Sequence, residues 1–110
     1  MSAVRLYVWQ RATALLMVPL IALHLIVIIY ATNRGLSAAD MLGRTRGSVA
    51  WGLFYSLFVV AASIHGAIGV RGVAREWLGW RPVALDRLMW IFGTVLLVLG
   101  LRAVIAVVMP

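Results

Sequence analysis

The chain has 110 residues, of which 65% are hydrophobic and 12% charged, and its mean hydropathy is +1.05. A soluble domain of this length cannot hide so much apolar surface. Without cysteine it can form no disulfide, ligate no iron–sulfur cluster and run no thiol chemistry. The formal charge of +7 comes from ten arginines and three acids. The arginines gather at the ends of apolar stretches and form no basic stripe, which reads as topology-setting charge and argues against nucleic acid.

Residues 1–11 carry Arg5 and Arg11 among Tyr7 and Trp9, a mixture suited to the headgroup layer. A first span is expected from about Ala12 to Thr32. It is too long for the apolar region of a secretory signal and so reads as retained. Pro19 lies inside it, where membrane helices tolerate a kink, and His24 follows about a turn and a half later. The first loop, from Asn33 to Arg46, opens with Asn33-Arg34-Gly35, a helix C-terminus. Its stretch Leu36 to Met41 and Leu42 suits a short amphipathic turn lying on the membrane.

A second span is expected over about 47–70 and a second loop from Arg71 to about Arg81, holding Arg75, Glu76, Trp77 and Trp80. Pro82 suits the first turn of a third helix, expected over about 83–108 and interrupted by Arg102 about two turns from its end. The fold class is therefore all-α: one domain, 1–110, with three transmembrane helices (about 12–32, 47–70 and 83–108) and no repeat or linker. The N-terminal segment and second loop hold Arg5, Arg11, Arg71, Arg75, Arg81 and Arg87, whereas the first loop holds three arginines. That bias puts the N-terminus in the cytoplasm and the C-terminus outside.

His24 and His65 are the only histidines, and both fall within spans. A bare imidazole in hydrocarbon needs a partner. Gly66, Gly69 and Gly72 follow His65 at helical spacing, which suits either helix packing or the close approach of a flat ligand such as haem. In antiparallel spans the two histidines are expected on the order of 10 Å apart along the membrane normal. They cannot then face each other across one iron, and each is expected to serve a separate haem completed from another subunit. Polar packing and a proton relay remain alternative uses of both rings.

The pattern His65-x3-Gly69-x-Arg71-x4-Glu76-Trp77 resembles the second-helix signature of the membrane-anchor subunits of succinate dehydrogenases and fumarate reductases. Arg11-Ala12-Thr13-Ala14 resembles the Arg-x-Ser/Thr run with which those anchors begin their first span. With three spans in about 110 residues, the similarity covers nearly the whole chain, closest to the smaller, D-type anchor.

The resemblance implies a cytochrome b anchor in a bacterial inner membrane. It would pair with a second small anchor and hold a flavoprotein and an iron–sulfur subunit, which carry the FAD and the clusters. Electrons from succinate, an intermediate of the tricarboxylic acid cycle, would pass through haem b to quinone. The dicarboxylate site would lie on a partner. His65 matches the ligand of the haem nearest the iron–sulfur subunit, and His24 matches the distal-haem ligand of two-haem members. Arg11 and Arg71 suit the anionic propionates of the first haem and Arg102 those of the second. Glu76 and Trp77 stand where many members have Asp-Tyr near the quinone. Glu keeps proton-relay chemistry, but Trp is a donor only.

Three rival readings remain at this point. One is a haem-free anchor; another is a transporter component with a histidine proton path. The third is a cytochrome b anchor of a fumarate reductase or another flavin dehydrogenase.

Overall fold

The computed structural model describes residues 2–110. Its elements are α1 (Ala3–Arg34), α2 (Ala38–Thr45), α3 (Val49–Leu78) and α4 (Pro82–Val108). Three of them, α1, α3 and α4, are long and apolar enough to cross a membrane, so the chain is a multi-pass membrane protein. With 32 residues, α1 runs about 48 Å at 1.5 Å per residue. It therefore extends well beyond a hydrocarbon core of about 30 Å. Residues expected only as an interfacial segment thus form the first turns of the same helix, which continues through Pro19.

Two boundaries differ from the sequence expectation. The second loop does not begin at Arg71: α3 continues to Leu78 through Ala74, Arg75, Glu76 and Trp77, a run with no helix breaker. The loop shrinks to Gly79–Arg81, where Gly79 takes a left-handed conformation (φ +61°) that other residues adopt at a cost. Pro82 then opens α4, where its missing N–H costs nothing. The amphipathic turn expected at 36–42 is α2. Its Ser37 hydroxyl accepts from the Asp40 N–H at 3.1 Å.

Serine caps also start the first two spans. Ser2 Oγ accepts from the Arg5 N–H and Ser48 Oγ from the Trp51 N–H, each at 3.2 Å. The far end of α4 is closed by the last residue of α2 and the turn that follows it. The Thr45 hydroxyl donates to the Val107 carbonyl and the Gly47 N–H to the Val108 carbonyl, both at 2.6 Å. Carbonyls that a helix end would leave unpaired are thereby satisfied.

The central helix is α3, with α1 and α4 antiparallel to it on different faces. On α1 the seam has a seven-residue repeat in two rows: Leu6, Thr13, Leu20 and Val27, then Gln10, Met17, His24 and Ala31. All eight are buried or half-buried, as expected for helices crossing at a shallow angle. The α3–α4 seam sets small residues against large ones. Gly52 meets Val108, Gly66 meets Leu96 and Phe92, Gly93 meets Ala67, and Gly100 meets Val59. Lipid is as apolar as the side chains, so this close van der Waals fit holds the helices together. At the Gly79 end, Arg71 Nε donates to Asp86 Oδ1 at 2.9 Å and ties α3 to α4.

Candidate functional site

His65 faces α1 from the middle of α3. Its Nδ1 lies 3.2 Å from the hydroxyl of Thr13. That hydroxyl has one proton, directed at the Trp9 carbonyl at 2.7 Å and the Gln10 carbonyl at 3.1 Å. The shorter Trp9 contact assigns the Thr13 proton to that carbonyl, and Oγ1 then accepts from the imidazole, which assigns a ring proton to Nδ1. This tautomer leaves the Nε2 lone pair for a ligand, the arrangement expected of a metal-binding histidine with its other nitrogen hydrogen-bonded. Thr13 was visible in the sequence only as part of the Arg11-Ala12-Thr13 run. Its role depends on a contact across 52 residues.

His24 is differently placed. It sits edge-on to Tyr55 and Phe58, with ring centroids 6.1 and 5.4 Å away. Trp51 and Phe54 extend this aromatic wall. Its Nδ1 is buried and has no hydrogen-bond partner. Contact with Phe58, two turns of α3 away from His65, separates the two histidines by roughly 10 Å or more along the bundle. They share the α1–α3 seam at different depths and do not face each other.

On the Gly79 side of His65 a cleft of about 590 Å³ opens between α1 and α3. Tyr7, Gln10, Gly69, Gly72, Arg71 and Glu76 are among its lining residues. The Gln10 Oε1 is buried without a partner, and a side chain added at Gly72 would meet nothing within 4 Å. Gly66, by contrast, is filled by α4. The three glycines thus divide between packing and an open cleft. Gln10 was not singled out by its sequence context, since one amide at a helix end carries no pattern.

The remaining expected site residues are spread out. Arg11 is exposed, its guanidinium 5.6 Å from the Tyr7 ring at the rim of the cleft. Arg71 lines the cleft, but its Nε is committed to Asp86. Glu76 is exposed and lines the cleft, and Trp77 points into open surroundings at 82% exposure. Arg102 lies near the depth of His24, because Gly100 meets Val59 while His24 meets Phe58. Two residues beyond Gly100, it is turned roughly 200° round α4 and faces away from α3. This fold does not bring Arg102 and His24 together. Among the described residues no three His, Cys, Asp or Glu side chains gather into a metal-ion cage; an axial haem ligand needs only one imidazole from each side.

The sequence matches a family model described as the succinate dehydrogenase/fumarate reductase transmembrane subunit, over residues 2–101. The chain belongs to that family. No curated protein and no solved structure gives a significant match. As a succinate dehydrogenase/fumarate reductase transmembrane subunit, the chain is a membrane part of such a complex. The family match runs through α1, α2, α3 and most of α4, and so includes both histidines and the cleft.

Proposed function

We propose that the chain is the cytochrome b anchor of a succinate:quinone oxidoreductase in a bacterial inner membrane, with its N-terminus cytoplasmic. It pairs with a second anchor subunit and docks the iron–sulfur and flavoprotein subunits. The observation that carries this reading is the Thr13–His65 hydrogen bond, which sets the tautomer of an in-membrane imidazole so that Nε2 is available as an axial ligand. A b-type haem bound there would supply one-electron transfer between the iron–sulfur subunit and quinone.

The chain's own residues then have separable tasks. Thr13 orients His65 through the hydrogen bond at Nδ1. Gly69 and Gly72 keep the adjoining cleft open. Gln10, with its unpartnered buried amide, offers a hydrogen bond to whatever enters. Arg11 reaches over Tyr7 toward the cleft and is the better placed of the two expected propionate partners, because Arg71 is held toward α4 by Asp86. Glu76 lines the cleft as a proton-carrying group near quinone, with Trp77 beside it. His24 would hold a second, distal haem, and Arg102, on the outer side of α4, would have no route to that haem through this chain.

A one-haem variant of this reading has its own support. His24 lacks the hydrogen bond at Nδ1 that His65 has, and the rings of Tyr55 and Phe58 lie edge-on against it. The test is a reduced-minus-oxidised spectrum of the intact purified complex with haem b counted per flavin. Two haems per flavin support ligation by both histidines. One haem, lost in His65→Ala and kept in His24→Ala, supports the variant. A complex without haem overturns the cytochrome reading and leaves a docking anchor.

A further inference from the structure

A second depression, of about 410 Å³, lies on a different part of the bundle and is lined by neither histidine. It is a slot over α3 between α1 and α4. Its α3 wall includes Val60, Ile64 and Ile68, and its α4 wall includes Met89, Gly93 and Leu97. The few polar groups contribute little: the Ser63 hydroxyl is already spent on the Val59 carbonyl at 2.7 Å. From Ile68 to Val60, and from Met89 to Leu97, the slot runs eight residues, roughly 12 Å along the membrane normal. Trp9 and Trp90 are half-exposed or more at its flanks.

The slot does not end blindly. Leu6 and Ile68 line both it and the cationic cleft. The α3 stripe Val60, Ile64, Ile68, Arg71, Arg75 advances by four, four, three and four residues, so it stays on one face of the helix. Apolar walls therefore pass directly into two guanidiniums, near the level where the span leaves hydrocarbon. Arg71 shares its charge with Asp86, whereas Arg75 is exposed and makes no ion pair among the described residues. Glu76 lies on the His65 face, three helical turns on from it, and not on this stripe.

We propose that the slot and its arginine end form a binding site for one anionic phospholipid. An acyl chain lies against Val60, Ile64 and Ile68, and the phosphate meets Arg75, the guanidinium of the stripe that no carboxylate among the described residues holds. The occupant is lipid because the slot is apolar and opens sideways from membrane-spanning helices. It is anionic because the stripe ends in arginines. The acyl slot contains neither histidine, while Arg75 also lines the cleft beside His65, so the headgroup end adjoins the site proposed above.

The test uses the full-length chain purified in detergent with its accompanying subunits. Phosphatidylglycerol or phosphatidylcholine is added and bound lipid is counted by native mass spectrometry. Retention of phosphatidylglycerol over phosphatidylcholine by about fivefold is expected from one guanidinium near the headgroup. Arg75→Gln, a surface change, should bring that ratio toward one while still retaining lipid. Ile64→Trp and Thr94→Trp fill the slot from opposite walls and should each lose the bound lipid, with circular dichroism confirming unchanged helix content. Equal retention of the two lipids by the unmodified protein overturns the headgroup site. Undiminished retention in both tryptophan variants overturns the slot, as does displacement of phosphatidylglycerol by an isoprenoid quinone.

Discussion

The hydroxyl of Thr13 on α1 lies 3.2 Å from Nδ1 of His65 on α3 and 2.7 Å from the carbonyl of Trp9, which assigns its proton to the carbonyl and the Nδ1 proton to the bond between them. One hydroxyl on the first span thus determines which nitrogen of an imidazole on the second is open to a ligand. Thr13→Val keeps the shape and removes the acceptor. Haem affinity is expected to fall about 10- to 100-fold, as for other partners of metal-binding histidines, with a shifted midpoint potential. Thr13→Ser should restore both. Haem content and redox titration of the purified complex check this; an unchanged potential in Thr13→Val would count against the assignment.

His65→Ala should abolish the signal of the haem nearest the iron–sulfur subunit and weaken assembly. His24→Ala should remove only a second, distal signal. The reduced-minus-oxidised spectra of both variants, compared with subunit recovery, measure the two effects separately. An unaltered spectrum in His65→Ala would refute the ligand assignment.

The α3–α4 seam predicts a size limit at Gly100, where an added Cβ would collide with Val59. Gly100→Ala should destabilise the chain by about 1–3 kcal/mol, the usual cost of overpacking, and adding Val59→Ala should recover most of it. Gly43→Ala, with nothing within 4 Å of the new methyl, serves as the control and should not destabilise. Thermal unfolding in detergent reads all four proteins.

Asp86→Ala leaves the mostly buried Arg71 without its carboxylate (side-chain exposures 13% and 35%). A loss of about 1–3 kcal/mol is expected, because the cost of an unsatisfied group exceeds the net worth of the bond. The double variant Arg71→Ala/Asp86→Ala should lose less than the sum of the two single changes. Additive losses in the melting temperatures would show that the pair carries no coupling.

Helix count and the three spans were legible along the chain because each rests on local chemistry. An apolar run of about twenty residues crosses a bilayer whatever its neighbours do, and an imidazole inside such a run calls for a partner. Gly35 and Pro82 likewise mark helix boundaries through their own backbone constraints. The end of α3 was misjudged because charge was taken as the boundary. A helix stops where its backbone is broken, at Gly79, and not where its side chains turn polar.

What only the tertiary structure decided is which residues meet. Thr13 joins His65, and Asp86 captures Arg71, across 52 and 15 residues respectively. Gly66 turns to α4, while Gly72 opens on the cleft beside α1. Arg102 reaches the depth of His24 yet faces outward. Periodicity places a residue on a face of its own helix, but the seam that face joins depends on how three helices share one another's surfaces. By itself the sequence determined a three-span membrane subunit with an imidazole in its second span; the packing of α1 on α3 decided that Thr13 meets its Nδ1.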